Sequence, residues 1–290
     1  MIYLLISICI SSFLFVVFKL FDVFKINTLQ AIIVNYFVAS SLGFGLSGIS
    51  VSFSDIPNQS WFLGAFLMGL LFIAVFNLMA LTSQKNGLSV ASVSSKMSVV
   101  IPIVFGVWIY NESVGVVKII GIILALVAVY LTSAKENKEK FQKGSLLFPI
   151  LLFIGSGFID GGLKYLETKY VPEGGVPVFS ATIFGFAFVF GLIYLVFQSI
   201  KGGFKFQFKN VLGGILLGIP NYFSIVYLLK ALSTEGLESS TLFTLNNVGV
   251  VVLTTLFGLL LFKEKLIIRN WIGVVLAVIS ILLVGGFLAV

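Results

Sequence analysis

The sequence predicts an all-α membrane protein: ten transmembrane helices arranged as two inverted-topology repeats of five. Three observations lead there. The 290 residues are 59% hydrophobic and only 10% charged, against about 25% charged in a soluble domain. The apolar residues come in blocks of about 20, the helix length that crosses a hydrocarbon core roughly 30 Å thick. A helix–acid–helix stretch late in the first half also reappears late in the second. With a mean hydropathy of +1.16, the chain has too few charges to cover a soluble surface.

Ten apolar blocks follow in order. The first, 2–21, starts at Met1-Ile2-Tyr3-Leu4 with no basic residues ahead of a long apolar run, so it reads as a helix and not as a signal peptide. The second, 28–48, and the third, 61–83, are parted by Ser54-Asp55-Ile56-Pro57-Asn58, a turn-forming cluster. Lys85-Asn86-Gly87 introduces the fourth, 88–110, and the turn at Glu112 leads into the fifth, 114–133. The longest polar break, Lys135 to Lys143, precedes the sixth block, 145–168. Pro172-Glu173-Gly174-Gly175 and Lys201-Gly202-Gly203 flank the seventh, 176–200. The eighth to tenth are 210–231, 237–262 and 267–288. The expected organisation is a first five-helix repeat over 1–134, a connector over 135–144 and a second repeat over 145–290.

Phe105-Gly106, Glu112, Gly121 and Ala125 meet Phe257-Gly258, Glu264, Gly273 and Ala277 at one offset of 152 residues. Upstream the register slips by about three residues. Shared acids and glycines point to an internal duplication. An odd number of helices per copy makes the second enter the membrane from the opposite side. That is the construction of secondary carriers that work by alternating access.

The two five-helix halves, the duplicated helix–Glu–helix segments at Glu112 and Glu264, and Pro102 ten positions before the first Glu resemble the drug/metabolite transporter superfamily, specifically its EamA-type ten-helix members. Thr254 stands where the second copy would have the proline. The resemblance implies transport of amino acids, nucleobases, sugars or drug-like solutes across the plasma (inner) membrane by efflux or exchange. It also implies a cavity lined mainly by the first, third, fourth, sixth, eighth and ninth helices. A channel, a non-transporting scaffold or a lipid-modifying enzyme are the rivals, the last disfavoured by scattered acids and absent histidine.

Lysines set the expected orientation. Thirteen basic residues, among them Lys19, Lys25, Lys85, Lys201, Lys263 and the connector lysines, lie in odd-numbered loops, against Lys118, Lys169 and Lys230 in or beside even ones. The positive-inside bias puts odd loops in the cytoplasm and both termini outside. The family's usual orientation has both termini inside.

Charges at membrane depth need a reason, since each costs about 2.5–3.5 kcal/mol on insertion scales. Lys96 lies about eight residues into the fourth block, roughly 12 Å along the helix. It either snorkels, sits in a buried ion pair, or faces a watery cavity where it attracts an anionic substrate. Asp160 and Lys164 are four apart and can neutralise each other on one helix face. Asp160 could instead reach Lys96 or take up a proton. Asn77, Asn221, Tyr222, Asn246 and Asn247 must bond a helix, water or substrate. The expected substrate-binding set is therefore Lys96, Asp160, Asn77, Asn221, Tyr222, Asn246 and Asn247. Glu112, Glu264 and Lys164 are expected at turns and gates. Gly157 with Gly161, and Gly214 with Gly218, form small-xxx-small patterns for close helix packing.

Other chemistries find no footing. The chain has no histidine and one cysteine, Cys9, so no His-based metal site, triad or intramolecular disulfide is available. Gly43-Phe44-Gly45-Leu46-Ser47-Gly48 fits G-x-G-x-x-G but ends an apolar helix, outside the dinucleotide context. No phosphate-binding P-loop occurs, so the expectation is a non-enzyme with no cofactor, driven by protons or a counter-substrate. The net charge of +7 reflects loop lysines and not a nucleic-acid face. The expected partners are a small-molecule substrate and the bilayer. A monomer suffices and a dimer is compatible.

Overall fold

The computed structural model describes residues 1–46, 53–102, 115–132, 146–172, 174–200, 206–232 and 239–284. Glu112, Phe105-Gly106 and the 135–144 connector lie outside them. Among the described residues run ten α-helices: α1 (Ile2–Val23), α2 (Thr28–Leu46), α3 (Phe62–Lys85), α4 (Leu88–Met97), α5 (Val116–Thr132), α6 (Leu147–Tyr170), α7 (Val176–Ile200), α8 (Phe208–Leu232), α9 (Ser239–Phe262) and α10 (Ile268–Val284). A short 3-10 turn, Phe53–Asn58, precedes α3, and no strand occurs among the described residues. Seven helices are long and apolar enough to cross a membrane; α4, α5 and α10 belong to shorter apolar helices. On α5 the exposed residues are Val116, Ile119, Ile120, Ile123, Leu126, Val127 and Tyr130. An apolar outer face at helical spacing needs an apolar solvent.

The chain forms two compact units, each drawing on both halves of the sequence. The first is Met1–Lys19, Leu78–Phe158 and Phe223–Val290; the second is Leu20–Asn77 and Ile159–Tyr222. Helices α1, α3, α6 and α8 each contribute residues to both.

In the first unit α5 and α10 pack antiparallel. At one end Asn270 Nδ2 donates to the carbonyls of Leu131 (3.1 Å) and Thr132 (2.8 Å). At the other, Ser280 Oγ donates to the Gly121 carbonyl at 2.7 Å. The seam between them is small: Ala125, Ala128 and Ala277 are fully buried. A Cβ at Gly273 would lie 2.7 Å from Thr132 N and 3.0 Å from the Ala128 carbonyl. The two contacts are reciprocal. Ser280 sits on Gly121 and Ala128 sits on Gly273, and both pairs of positions are related by the offset of 152.

Helix α4 also belongs to this unit and is buried almost all round, from Leu88 to Ser94. The expected fourth block runs unbroken over 88–110, but the helix gives way to a turn at Ser98-Val99 and resumes at Val100. Pro102 supplies the reason, because it has no N–H to offer the Ser98 carbonyl. The Ile101 N–H takes that carbonyl instead, at 2.9 Å and three-residue spacing.

In the second unit α2 and α7 pack antiparallel, again reciprocally. A Cβ at Gly43 would lie 2.8 Å from the Ala181 Cβ, and one at Gly191 would lie 2.6 Å from Ile33. These positions share an offset of 148, which places the upstream register slip at four residues. A third contact obeys it: Ser40 faces Gly185, and the Phe37 and Phe188 rings meet at 5.3 Å. Helix α8 docks on α2 through Gly214 and Gly218, where a Cβ would come within 2.6 Å of the Ala31 carbonyl and 2.9 Å of the Asn35 carbonyl. Close packing is thus the role of that glycine pair. Gly157, in the first unit, likewise receives Ile101.

Candidate functional site

The polar side chains divide between the units. In the first unit Glu264 stands just after α9. Lys263 adopts a left-handed conformation (φ 51°). The chain therefore wraps back, and the Glu264 N–H donates to the Gly258 carbonyl at 3.0 Å. That wrap aims the carboxylate at the start of α4, where both oxygens accept from the Leu88 N–H, at 2.9 and 3.1 Å. The Ser89 N–H follows it in the same helix start. A helix start leaves its first N–H groups without intrahelical acceptors, and a carboxylate both satisfies them and complements the helix dipole. Gly87 has φ 106° and no side-chain cap, so Glu264 supplies the missing cap from a distant loop.

Lys19, near the end of α1, lies 4.0 Å from Glu264 Oε1. Its ammonium also donates to the carbonyls of Ser83 (3.3 Å) and Gln84 (3.1 Å) in the last turn of α3. Gln84 Nε2 returns a bond to the Phe18 carbonyl at 3.1 Å. Burial pushes the Glu264 carboxyl above its ordinary range; the Leu88 N–H, Lys19 and the Ser89 N–H pull the other way without cancelling it.

Lys96 is half-buried in the last turn of α4, two residues before the break. A cation there complements the carbonyl end of the helix. Its neighbour Ser95 meets Ser156 of α6, hydroxyl to hydroxyl, at 3.5 Å. Asn246 of α9 is buried and accepts from Ser7 Oγ of α1 at 3.4 Å, while Asn247 is half-buried. The first unit also holds buried hydroxyls, Ser12, Ser89, Ser94 and Thr254, whose oxygens have no hydrogen-bond partner among the described residues.

In the second unit Asn221 Nδ2 donates to Asn35 Oδ1 at 3.1 Å, tying α8 to α2 next to Pro220. Asn77 Nδ2 returns to the Ile73 carbonyl of its own helix at 2.8 Å. Tyr222 is half-buried beside Gly43. Asp160 and Lys164 are both exposed.

Sequence reasoning selected Glu264, Asn221 and Asn246 but missed what they touch. Lys19 entered only as a loop charge. Its signal was its place at the end of an apolar helix, Phe18-Lys19-Leu20. The polar knot of Asn27, Gln30 and Asn210 was missed entirely. Asn210 Oδ1 accepts from the Asn27 N–H at 2.9 Å, and its Nδ2 donates to Gln30 Oε1 at 2.6 Å.

Residues 1–134 match the EamA-like transporter family. A Haemophilus influenzae protein is 29% identical over 261 residues, 87% of this chain and 86% of its own. A putative sugar uptake protein of Bacillus cereus is 30% identical over 213 residues, 71% and 70% of the two chains. The probable glucose uptake protein GlcU of Priestia megaterium is 25% identical over 205 residues, 68% and 67%. One solved crystal structure superposes with a TM-score of 0.55 over 96% of both chains at 13% identity, a likeness of fold alone.

Proposed function

Since the chain belongs to the EamA-like transporter family of the drug/metabolite transporter superfamily, and is a multi-pass membrane transporter, we propose that it carries a small neutral polyol, a monosaccharide first of all, by alternating access. The observation that carries the substrate is the pair of relatives named for sugar and glucose uptake, matched over about two thirds of the chain or more. Their names favour uptake over the efflux or exchange expected from sequence.

The chemistry of the polar residues supports the same reading. A sugar is recognised by neutral donors and acceptors, and the buried polar groups are mostly hydroxyls and amides: Ser94, Thr254 and Asn246 in the first unit, Asn221 in the second. Lys96 acts on such a solute as a hydrogen-bond donor and not as a charge filter. The antiparallel, reciprocal packing of α2 on α7 and of α5 on α10 supports two inverted copies related by an axis in the membrane plane. The lysine bias supports a plasma-membrane orientation with odd loops in the cytoplasm.

Counterflow of labelled glucose and ribose into proteoliposomes preloaded with unlabelled sugar tests the proposal, with a hexose phosphate as control. The neutral sugar is expected to accumulate transiently, and Lys96→Ala to lower its rate by about tenfold or more, the loss of one charged hydrogen bond. Folded protein that moves neither sugar sinks the substrate assignment.

A further inference from the structure

We infer that Lys19 and Glu264 form one charged clasp that shuts the end of the first unit where α1, α3 and α9 finish and α4 begins. The inference rests on the alternating-access reading and adds to it a gate residue, Lys19, and a mechanism of closure.

The two side chains grip the α3–α4 turn from both sides. Lys19 takes the outgoing carbonyls of α3, Ser83 and Gln84. Glu264 takes the first incoming N–H group of α4, that of Leu88, on both oxygens. A cation thus sits at a helix C-terminus and an anion at a helix N-terminus, each complementing its dipole. The ion pair of 4.0 Å joins them.

Room for this arrangement is made by glycine. A Cβ at Gly87 would lie 3.0 Å from both carboxylate oxygens, and one at Gly258 would lie 2.5 Å from Oε2. Gly87 also has a positive φ that other residues resist.

The grip consists of charge and hydrogen bonds to a turn, Lys85-Asn86-Gly87, and can be exchanged for water bond by bond. That suits a gate better than an apolar plug, whose opening exposes hydrocarbon. The side chains of Lys19 and Glu264 are 20% and 13% exposed, so the clasp is not sealed within the unit. Among the described residues the facing charges are few. Lys19 comes from α1 and, of the described residues of α4, backbone N–H groups face Glu264. Lys263 and Lys265 flank Glu264 on its own loop, exposed, and Lys85 of α3 lies over the Phe148 ring at 4.7 Å.

Ser89, 2% exposed in the first turn of α4, gives the readout. The full chain carrying Ser89→Cys and Cys9→Ser, in nanodiscs, is labelled with a small water-soluble maleimide. Labelling is expected to be slow with the clasp intact. Glu264→Ala and Lys19→Met should each speed it about fivefold, as for a lost cap. Glu264→Gln and Lys19→Arg should restore the slow rate, since an amide oxygen still accepts the Leu88 N–H and a guanidinium still donates to the α3 carbonyls. Equal rates in the parent, Glu264→Ala and Lys19→Met overturn the clasp. If Glu264→Ala fails to fold, Lys19→Met decides, because it leaves the α4 cap in place. Clasp-dependent labelling without sugar counterflow would sink the sugar-carrier reading alone; counterflow with unresponsive labelling would sink the clasp alone.

Discussion

Glu264 is held in a place that disfavours its charge, and this has a sign. Burial raises its carboxyl above the ordinary range, so the closed clasp binds a proton more tightly than the open, hydrated one, and the neutral carboxyl keeps its carbonyl oxygen on the Leu88 N–H as the amide of Glu264→Gln would, the burial cost of the charge outweighing the ion pair. The contribution to closure is fully present below the ordinary carboxylate value and is lost as pH rises through the raised one. Labelling at Ser89→Cys, taken as a ratio to the same probe in Glu264→Gln to cancel thiol ionisation, should therefore fall as pH is lowered through that window. A flat ratio would mean that Glu264 does not titrate with closure. Glu264 was legible in the sequence because an acid recurs 152 residues after Glu112. Lys19 was not, because its α3 partners lie 64 and 65 positions along the chain and only folding brings them together. Of the asparagines read as polar groups inside apolar blocks, Asn77, Asn221 and Asn246 find partners. For Asn77 that partner is its own helix, a contact that composition cannot distinguish from a substrate.

Among the helices, the apolar blocks located the elements to within a few residues, since lipid leaves little choice but helix for such runs. The interruption of α4 was hidden in an unbroken apolar block, although Pro102 marked it. Reciprocal packing was also unreadable beforehand, because it depends on which glycine faces which backbone. Gly273→Val drives methyl groups toward the Thr132 and Ala128 backbone, which cannot retreat as a side chain can. It should destabilise by about 1–3 kcal/mol. Gly45 of α2 has nothing within 4 Å of a built Cβ, so Gly45→Ala should be neutral or mildly stabilising. Thermal unfolding in detergent compares the two, and equal shifts would remove the backbone contact as the cause.

At the scale of the whole molecule, the orientation proposed from the lysine bias can be tested. Single cysteines replacing Lys25 and Lys263, one in each half of the chain and both in odd loops, should react only from the cytoplasm. One replacing Gln59 should react only from outside. The reverse pattern would give the family's usual orientation and make the lysine count misleading. The substrate was the least legible property, since neutral hydroxyls and amides serve helix packing and sugar binding alike. The two reciprocal packing pairs, finally, are not equally spaced along the chain. The offset is 148 residues between α2 and α7 but 152 between α5 and α10, so the later anchor points stand four residues further apart than the earlier ones. Under the alternating-access reading proposed above, two identical copies would make the inward-facing and outward-facing forms equivalent by a two-fold rotation and equal in energy. Four added residues, about one turn of helix, would lift that degeneracy: one facing form would become the resting one, and influx and efflux would proceed at unequal speeds.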